Sequence, residues 1–393
     1  MAVEAQAVHA VTLDGTDGRR SDMNAHPPIP LVDLSLQHRR IAEDVEVVLR
    51  DVMANAEFVL GSRVERFERE FATYCGARHA VGVGNGTDAV EIALRSVGVG
   101  RGDEVILPAN TFVATAEAVV RCGATPVLVD CDEDFLIDPA LVGERLTSRT
   151  RAVIPVHLYG QMARVEAVRE AVGAEVAIVE DAAQAQGAER FGRRAGSLGD
   201  VAATSFYPGK NLGAYGDAGA VLTDSDAAAE SIRAFRNHGG VRKHEHVQIG
   251  VNSRLDGIQA AVLSIKLSLL DAWNKERQSA AVRYQELLAE NEQIALPAVT
   301  EGNEHVWHLY VVRVPNRDRA VSDLNTHGIG AGIHYPTPVH LLPAFSVLGC
   351  REGDFPVAER LSKEILSLPI FPGITEEQQD AVAAALRLEL SGQ

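Results

Sequence analysis

The sequence lacks a long apolar run and carries far fewer basic than acidic residues. No segment approaches the roughly 18 consecutive apolar residues that a membrane span requires, and the N-terminus has no secretory apolar region. The formal net charge of −17 disfavours general binding to nucleic acids or anionic membranes, because both need a basic protein surface. We therefore expect a soluble, cytoplasmic protein with no nucleic-acid or membrane partner.

Cysteine is also scarce. The four cysteines are Cys75, Cys122, Cys131 and Cys350. They form neither a Cys-x-x-Cys pair nor a Cys/His spacing typical of a metal site. We expect reduced thiols, no disulfide framework and no bound metal.

The length of 393 residues is typical of two or three domains, at about 150 residues each. Residues 1–28 mix small, polar and charged types and lead into a proline-rich entry, so we expect a poorly ordered tail. A large domain over residues 29–265 and a smaller C-terminal domain over residues 266–393 would follow.

The first part of the folded chain is predicted to alternate helices and strands. Apolar spacing predicts amphipathic helices across Ile41–Val52 and Val64–Tyr74. Short apolar runs then predict strands, at residues 80–83, 104–107, 125–129, 152–156, 176–179, 201–206 and 218–222. Strands alternating with helical patterns indicate an α/β fold with a mostly parallel central sheet flanked by helices.

The later part of the chain predicts a small α/β unit. One long helix with an apolar stripe runs from Leu255 to Trp273, and we place the domain boundary within it, near residue 265. Strands are expected at residues 309–314 and 333–335, with helices at 318–326, 356–367 and 375–390.

Ligands of open α/β sheets bind in loops at the carboxyl ends of the strands, and three such loops carry chemistry. The turn Gly84–Asp88 precedes a helix, where backbone N–H groups at Gly86 and Thr87 would suit an anion such as phosphate. The alternative at this position is an ordinary strand-to-helix turn.

The second loop contains Asp181 at the end of a predicted strand. Its carboxylate can meet a cation or a protonated ring nitrogen, or it can simply cap a helix. The third loop, residues 205–219, places Lys210 among glycines. Lys210 is either a solvated loop charge or a lysine that forms a Schiff base.

Together these loops would hold a phosphate, a cationic aromatic nitrogen and an aldehyde. Pyridoxal 5′-phosphate carries all three groups, and its enzymes pair a Schiff-base lysine with an acid at the pyridinium nitrogen. This combination favours the catalytic interpretation of Lys210.

From about Ile29 to its C-terminus the chain resembles the DegT/StrS group of pyridoxal phosphate-dependent nucleotide-sugar aminotransferases. Seven motifs carry the resemblance, namely Gly-Asn-Gly-Thr-Asp-Ala at 84–89, Pro-Ala-Asn-Thr-Phe-Val-Ala-Thr at 108–115, Pro-Val-His-Leu-Tyr-Gly at 155–160, Glu-Asp-Ala-Ala-Gln-Ala at 180–185, Ser-Phe-Tyr-Pro-Gly-Lys-Asn-Leu-Gly at 205–213, Asn-Ser-Arg-Leu-Asp at 252–256 and His-Tyr-Pro-Thr-Pro-Val-His at 334–340. The resemblance implies the type I fold of aspartate aminotransferase.

The resemblance also implies roles around the cofactor ring. Lys210 would bind the aldehyde and then shuttle a proton, and Asp181 would keep the pyridine nitrogen protonated. Gln184 would bond the ring hydroxyl, and Phe112 would stack on the ring face. An amino-acid donor, glutamate or glutamine, would supply the amino group.

The phosphate of the cofactor would be held by two subunits. By resemblance, Gly86, Thr87 and Ser205 would form the cradle, and Asn252 would reach it from the second subunit of a homodimer with shared active sites.

Substrate contacts rest on two loops. Arg242 and Lys243 lie in a locally basic stretch and would contact the pyrophosphate of a nucleotide sugar, unless the stretch is a solvated loop. His334, Tyr335 and His340 are candidates for contacts to the sugar, with buried structural histidines as the alternative. A further position, Arg254, would receive the donor carboxylate.

The residues disfavour some activities of related proteins and leave others as alternatives. Lys210 disfavours the dehydratases that carry histidine in its place, and the dispersed cysteines disfavour iron–sulfur relatives. A cyclitol aminotransferase and a non-catalytic sugar-nucleotide binding or regulatory protein stay as alternatives. The motifs at 155–160 and 334–340 are most similar to those of enzymes that aminate C3 of a dTDP-linked keto-6-deoxy sugar, and amination at C4 stays as an alternative.

Overall fold

The computed structural model describes residues 27–391. The expected tail over residues 1–28 therefore lies outside the described residues, apart from Pro27 and Pro28. Within residues 27–391, no helix is long and apolar enough to cross a membrane. In the same range, no group of three or more histidine, cysteine, aspartate or glutamate side chains is placed to hold a metal ion.

Two helices open the folded chain, as the apolar spacing predicted. Helix α1 spans Leu34–Asn55 and begins after Asp33, whose carboxylate accepts a hydrogen bond from the backbone N–H of Ser35. Helix α2 spans Ser62–Cys75. The other helices are α3 (Gly86–Ser96), α4 (Val113–Arg121), α5 (Pro139–Glu144), α6 (Val165–Val172), α7 (Asp226–Phe235), α8 (Gly257–Leu267), α9 (Leu270–Leu288), α10 (Arg317–Thr326), α11 (Pro356–Glu364) and α12 (Glu376–Ser391).

A seven-stranded central sheet organises the large part of the molecule. The strands of the described chain are β1 (His79–Val83), β2 (Glu104–Pro108), β3 (Thr125–Val129), β4 (Thr150–Val153), β5 (Ala177–Asp181), β6 (Glu189–Arg190), β7 (Arg193–Arg194), β8 (Val201–Ser205), β9 (Gly219–Thr223), β10 (Gly240–Arg242), β11 (Glu245–His246), β12 (Asn303–Glu304), β13 (Tyr310–Arg313) and β14 (Ile365–Leu368). The central order is β1-β9-β8-β5-β4-β2-β3, and β9 runs antiparallel to both neighbours while the remaining pairs are parallel. The expectation of a mostly parallel sheet is confirmed.

Helices cover both faces of this sheet. Val81 points to one face, in a cluster with Val90 of α3 and Val119 of α4. The preceding residue, Ala80, points to the other face and packs with Phe67 of α2 and Leu263 of α8. Successive strand residues alternate between faces, so the apolar runs of the sequence match a sheet buried on both sides.

The register of β9 brings the functional loops to one edge. Gly219 pairs with Val83 at the end of β1 and with Ser205 at the end of β8. Ala203 of β8 pairs in turn with Asp181, the last residue of β5. The loops that follow β1, β5 and β8 therefore start side by side.

Three sequence-based expectations for the later part of the chain are wrong. The long helix predicted across Leu255–Trp273 is two helices, α8 and α9, separated at residues 268–269. Residues 333–335 form no strand, and the partner of β13 is instead β14. The end of the helix predicted at 356–367 is extended from Ile365, because its backbone pairs with Arg313 in that strand pair.

The C-terminal unit has its own apolar core around Tyr284, Leu324 and Leu386. Ile29 packs into this same core and forms a β-bridge with Ile329. From the sequence we had expected residue 29 to belong to the large domain. The domain boundary near residue 265 remains a proposal, and the nearest break in regular structure is the one between α8 and α9.

Candidate active site

A cavity of about 550 Å³ lies at the edge of the sheet where the three loops meet. Its wall includes Leu31 and Val32 from the entry segment and residues that follow β1, β2, β5 and β8. The sequence-predicted site residues that line it are Gly86, Thr87, Phe112, Asp181, Gln184, Ser205, Lys210, His334 and Tyr335.

One end of the cavity is the N-terminus of α3. Asn85 caps this helix, and its side-chain oxygen accepts the N–H of Asp88 at 2.8 Å. The N–H groups of Gly86 and Thr87 lie in the first turn, where a helix offers donors and positive potential to an anion. A Cβ at Gly86 would lie 2.5 Å from the Cβ of Ser205. Glycine therefore lets β8 close onto this turn and complete an anion cradle.

A buried carboxylate also lines the cavity. Asp181 is 6% exposed, and its Oδ2 accepts a hydrogen bond from the Thr115 hydroxyl at 2.8 Å. Its Oδ1 lies 3.2 Å from the backbone N–H of Ala183. Two bonds from different elements fix the plane of this carboxylate.

Gln184 and Tyr335 form a second fixed pair. The Gln184 carbonyl oxygen accepts the N–H of Tyr159 at 2.7 Å, and its amide group donates to the Tyr335 hydroxyl at 3.1 Å. The Tyr159 hydroxyl donates to the backbone oxygen of His334. Phe112 lies beside Tyr335 with 5.0 Å between ring centroids. These contacts tie the C-terminal unit to the cavity wall.

The loop that carries Lys210 is tightly closed. The Lys210 N–H donates to the carbonyl of Tyr207 at 2.8 Å, and the N–H of Ala214 donates to that of Phe206 at 2.8 Å. Beneath the loop, the buried ammonium of Lys266 donates to the Gly213 carbonyl at 2.6 Å, and burial lowers the Lys266 pKa to about 8. The loop backbone is therefore fixed both by bonds within the loop and by the bond from Lys266.

Two histidines lie in the cavity wall near this lysine. Burial and the charge of Lys210 lower the pKa of His334 to about 4, and its Nδ1 lies 2.9 Å from the Ser367 hydroxyl. The sequence analysis did not single out His308, whose pKa is also lowered well below its usual range, first by burial. His308 precedes a strand in the chain, whereas ligand-binding residues of open α/β sheets are expected in loops that follow strands. No periodicity in the sequence marks it.

The remaining site candidates lie away from the cavity of their own chain. Arg242 and Lys243 are exposed on the β10–β11 hairpin, and Asn252 is exposed beyond it. Arg254 lies partly buried, with a weak 3.4 Å bond to the side chain of Asn237. His340 is buried in the core, and its Nε2 is 2.9 Å from Glu359. Its Nδ1 is buried and has no hydrogen-bond partner among the described residues. The assignment of His340 to a sugar contact stays a prediction, and His340 does not line the cavity.

The cavity fits pyridoxal phosphate. Its phosphate requires an anion site, its pyridine nitrogen an acid and its aldehyde an amine. The cavity lining supplies these groups through the α3 cradle with Ser205, the fixed carboxylate of Asp181 and the side chain of Lys210. The missing Cβ of Gly86 lets Ser205 approach the cradle closely.

Residues 39–387 match the DegT/DnrJ/EryC1/StrS aminotransferase family. A dTDP-3-amino-3,4,6-trideoxy-alpha-D-glucose transaminase of Streptomyces venezuelae is 46% identical over 92% of this chain and 96% of its own length. A pleiotropic regulatory protein of Geobacillus stearothermophilus is also 46% identical, over 90% of this chain and 96% of its own.

Solved structures agree with the sequence comparison. The crystal structure of DesV from S. venezuelae has a TM-score of 0.90 and 46% identity, and the match covers 92% of this chain and 98% of that chain. Similar chains have been solved with pyridoxamine phosphate and with pyridoxal phosphate.

Proposed function

Because the chain belongs to the DegT/DnrJ/EryC1/StrS aminotransferase family and is therefore a pyridoxal phosphate-dependent aminotransferase, we propose that it aminates C3 of a dTDP-linked keto-6-deoxy sugar. Glutamate or glutamine is the donor. The observation that carries the proposal is the convergence of Gly86, Asp181 and Lys210 on one cavity in a chain 46% identical to a dTDP-sugar transaminase. We propose that the enzyme acts in the biosynthesis of an antibiotic that carries an amino sugar.

When bound, the cofactor carries the amino group between donor and acceptor and stabilises negative charge at the reacting carbon. Lys210 would hold the aldehyde of the cofactor, and its Nζ would move a proton when it is free of that group. Asp181 would favour a proton at the ring nitrogen by its negative charge, and Thr115 and Ala183 orient its carboxylate. Gln184 orients the ring hydroxyl.

The acceptor's pyrophosphate needs cationic partners. Among the described residues that line the cavity, the only arginine or lysine besides the lysine that would hold the cofactor is Arg121. Arg121 lies at the cavity wall, but its guanidinium is paired with Asp88 at 2.9 Å and Glu91 at 2.8 Å. Arg242 and Lys243 are exposed on a hairpin outside their own cavity. These placements support a homodimer in which each hairpin serves the site of the partner.

Exposed apolar side chains near the hairpin support the same arrangement. Val247 is 63% exposed and Ile249 is 95% exposed, and Val241 of the hairpin is also exposed. A second copy of the chain would bury these groups and could bring Asn252 to the neighbouring phosphate cradle.

Mixing two inactive variants tests the shared site. The Lys210→Ala and Asn252→Ala proteins are unfolded together, refolded and assayed. If the sites are shared, a mixed dimer contains one site with both residues intact, and activity exceeds the sum of the separate variants. Activity equal to that sum would reject the arrangement.

We also propose a cytoplasmic location. All four cysteines are free thiols, and burial raises the pKa of Cys75 and Cys131. Free thiols suit a reducing compartment. Fractionation of cells that express the tagged protein tests this assignment.

A non-catalytic regulatory role is the second candidate, favoured by the similarity to the protein named as a pleiotropic regulator. The two functions differ in the state of Lys210. For the aminotransferase, borohydride reduction should attach the cofactor covalently to the peptide that contains Lys210, as detected by mass spectrometry, and Lys210→Ala should remove the label. A protein that never binds the cofactor would favour the regulatory role.

A further inference from the structure

His308 is held in the cavity wall by its backbone neighbours. The N–H of Val306 donates to Gly160 at 3.0 Å and the N–H of Leu309 donates to Tyr159 at 3.2 Å, so the segment is bonded on both sides of His308. Gly160 has φ +105°, and a Cβ there would lie 2.9 Å from the backbone N of His308. The two segments approach this closely only because residue 160 is glycine.

A chain of side-chain amides fixes which ring nitrogen of His308 carries the proton. The side-chain NH2 group of Asn274 donates to the backbone carbonyl of Gln186 at 2.9 Å. The side-chain oxygen of Asn274 therefore accepts a hydrogen bond from the Asn211 amide, at 2.8 Å. Asn211 also donates to the Val306 carbonyl at 2.9 Å, so its own oxygen faces the His308 Nδ1 at 3.2 Å.

An amide oxygen can only accept a hydrogen bond. His308 Nδ1 must therefore carry the hydrogen, and Nε2 of a neutral ring is left as an acceptor. Asn211 does not line the cavity, whereas His308 does. Nε2 is accordingly the ring nitrogen that is available to a donor in the cavity.

The surroundings keep this ring neutral. Burial lowers the His308 pKa, and the positive charges of Lys210 and Arg277 act in the same direction. Arg277 is 1% exposed and bonds only backbone oxygens of Trp307 and Ile370 in the described chain.

The charges of His334 and His305 also lower the His308 pKa. The other titratable side chains that line the cavity, besides Lys210, are Asp88, Glu117, Arg121, Asp181, Tyr207, Asp217 and Tyr335.

We propose that His308 is a positioning residue whose Nε2 accepts a hydrogen bond from the Nζ of Lys210 once that amine is released from the cofactor. A neutral acceptor on a fixed ring holds the long lysine side chain in one orientation and stabilises its protonated form. The inference rests on the proposed role of Lys210, and it assigns His308 no contact with the reacting carbon.

Two substitutions of His308 distinguish the roles of the two ring nitrogens. In His308→Asn the carboxamide occupies the place of Nδ1 and keeps a donor for Asn211, but the acceptor towards Lys210 is lost. In His308→Gln the carboxamide reaches the place of Nε2. The second variant is the matched control for the first.

The measurement is the pKa of Lys210 in the full chain saturated with pyridoxamine phosphate, where the lysine is not linked to the cofactor. The rate of acetylation at Lys210 is followed against pH by mass spectrometry, with the exposed Lys275 as an internal standard. We expect His308→Asn to lower the Lys210 pKa by about one unit and His308→Gln to restore most of it.

An unchanged Lys210 pKa in His308→Asn, or an equal shift in both variants, would overturn the proposal. If His308→Asn does not fold, the ring of the wild-type protein is measured by ¹⁵N NMR and assigned with His308→Gln. A neutral Nδ1–H ring near pH 7 supports the proposal, and an Nε2–H or charged ring overturns it. The acetylation measurement needs cofactor binding, and neither measurement needs amino transfer, so their failure is distinguishable from absence of aminotransferase activity.

Discussion

The hydroxyl of Thr115 lies 2.8 Å from Oδ2 of Asp181 and joins helix α4 to the end of strand β5. Thr115 donates to the carboxylate, so its oxygen can accept the hydroxyl proton of Thr111 at 2.8 Å. All three side chains are buried. The acid that we propose for the cofactor nitrogen is thus oriented by two successive hydroxyl groups.

Removing the first hydroxyl of this line should impair catalysis. Thr115→Val keeps the shape of the side chain but leaves Asp181 with one bond fewer, and we expect kcat to fall about tenfold, equivalent to ~1.4 kcal/mol in the barrier. Thr111→Val is the control, since Thr111 does not reach the carboxylate, and its effect should be smaller. Equal kcat values for Thr115→Val and the wild type would show that the hydroxyl does not orient the acid.

The phosphate cradle should not tolerate a side chain at residue 86. In Gly86→Ala the new Cβ would meet the Ser205 Cβ at 2.5 Å, so the helix terminus must move away from the phosphate. We expect cofactor affinity to fall at least about tenfold, or ~1.4 kcal/mol. Gly143→Ala is the matched control, because a Cβ there meets nothing within 4 Å. Equal cofactor affinities in titrations of the two variants would contradict the cradle.

The hairpin should contribute to binding of the nucleotide sugar. In the Arg242→Ala/Lys243→Ala protein we expect the KM for this substrate to rise about tenfold with kcat nearly unchanged, because the lost contacts are remote from the reacting carbon. The KM for the amino-acid donor should stay the same. Arg351→Ala, which removes an exposed charge, serves as the control. An unchanged KM in the double variant would show that the hairpin is only a solvated loop.

Buried histidines should make the fold sensitive to mild acid. Burial lowers the pKa of His305 from 6.5 to about 3, so below about pH 6.5 the unfolded chain binds a proton that the folded chain excludes. Stability is therefore complete above that pH and falls as pH decreases. For one such histidine, the loss between about pH 6.5 and pH 5 is on the order of 1–2 kcal/mol.

His305→Asn isolates this effect, because its side-chain oxygen can still accept the Trp307 N–H that now bonds the His305 Nδ1 at 2.8 Å. Denaturant unfolding of the wild type and this variant at pH 7 and pH 5 gives the comparison. We expect a smaller acid-induced loss in the variant. Identical losses would mean that His305 titrates alike in both states.

The loops around the cofactor could be predicted because strong local signals mark them. A glycine-rich strand-to-helix turn, a carboxylate at the end of an apolar run and a lysine among glycines each have chemical meaning in the sequence. Their convergence depends on the register of Gly219 with Val83 and Ser205. Pairing of this kind joins distant parts of the chain.

Other features depend on tertiary contacts that no local pattern encodes. Ile365–Leu368 is apolar enough for a helix or a strand, and pairing with β13 decides between them. The apolar stripe from Leu255 to Trp273 continues through the break between α8 and α9, so spacing alone predicts one helix. His340 resembles a ligand-binding residue in the sequence, but in the structure it lies in the core with its Nε2 against Glu359.

The most direct test of the central claim is the transfer of nitrogen to the sugar. The protein is incubated with ¹⁵N-labelled glutamate and either dTDP-3-keto- or dTDP-4-keto-6-deoxyglucose, and the position of the label is read by NMR. We predict ¹⁵N at C3 of the sugar with the wild type and none with Lys210→Ala. Label only at C4, or no labelled sugar from the wild-type protein, would contradict the account.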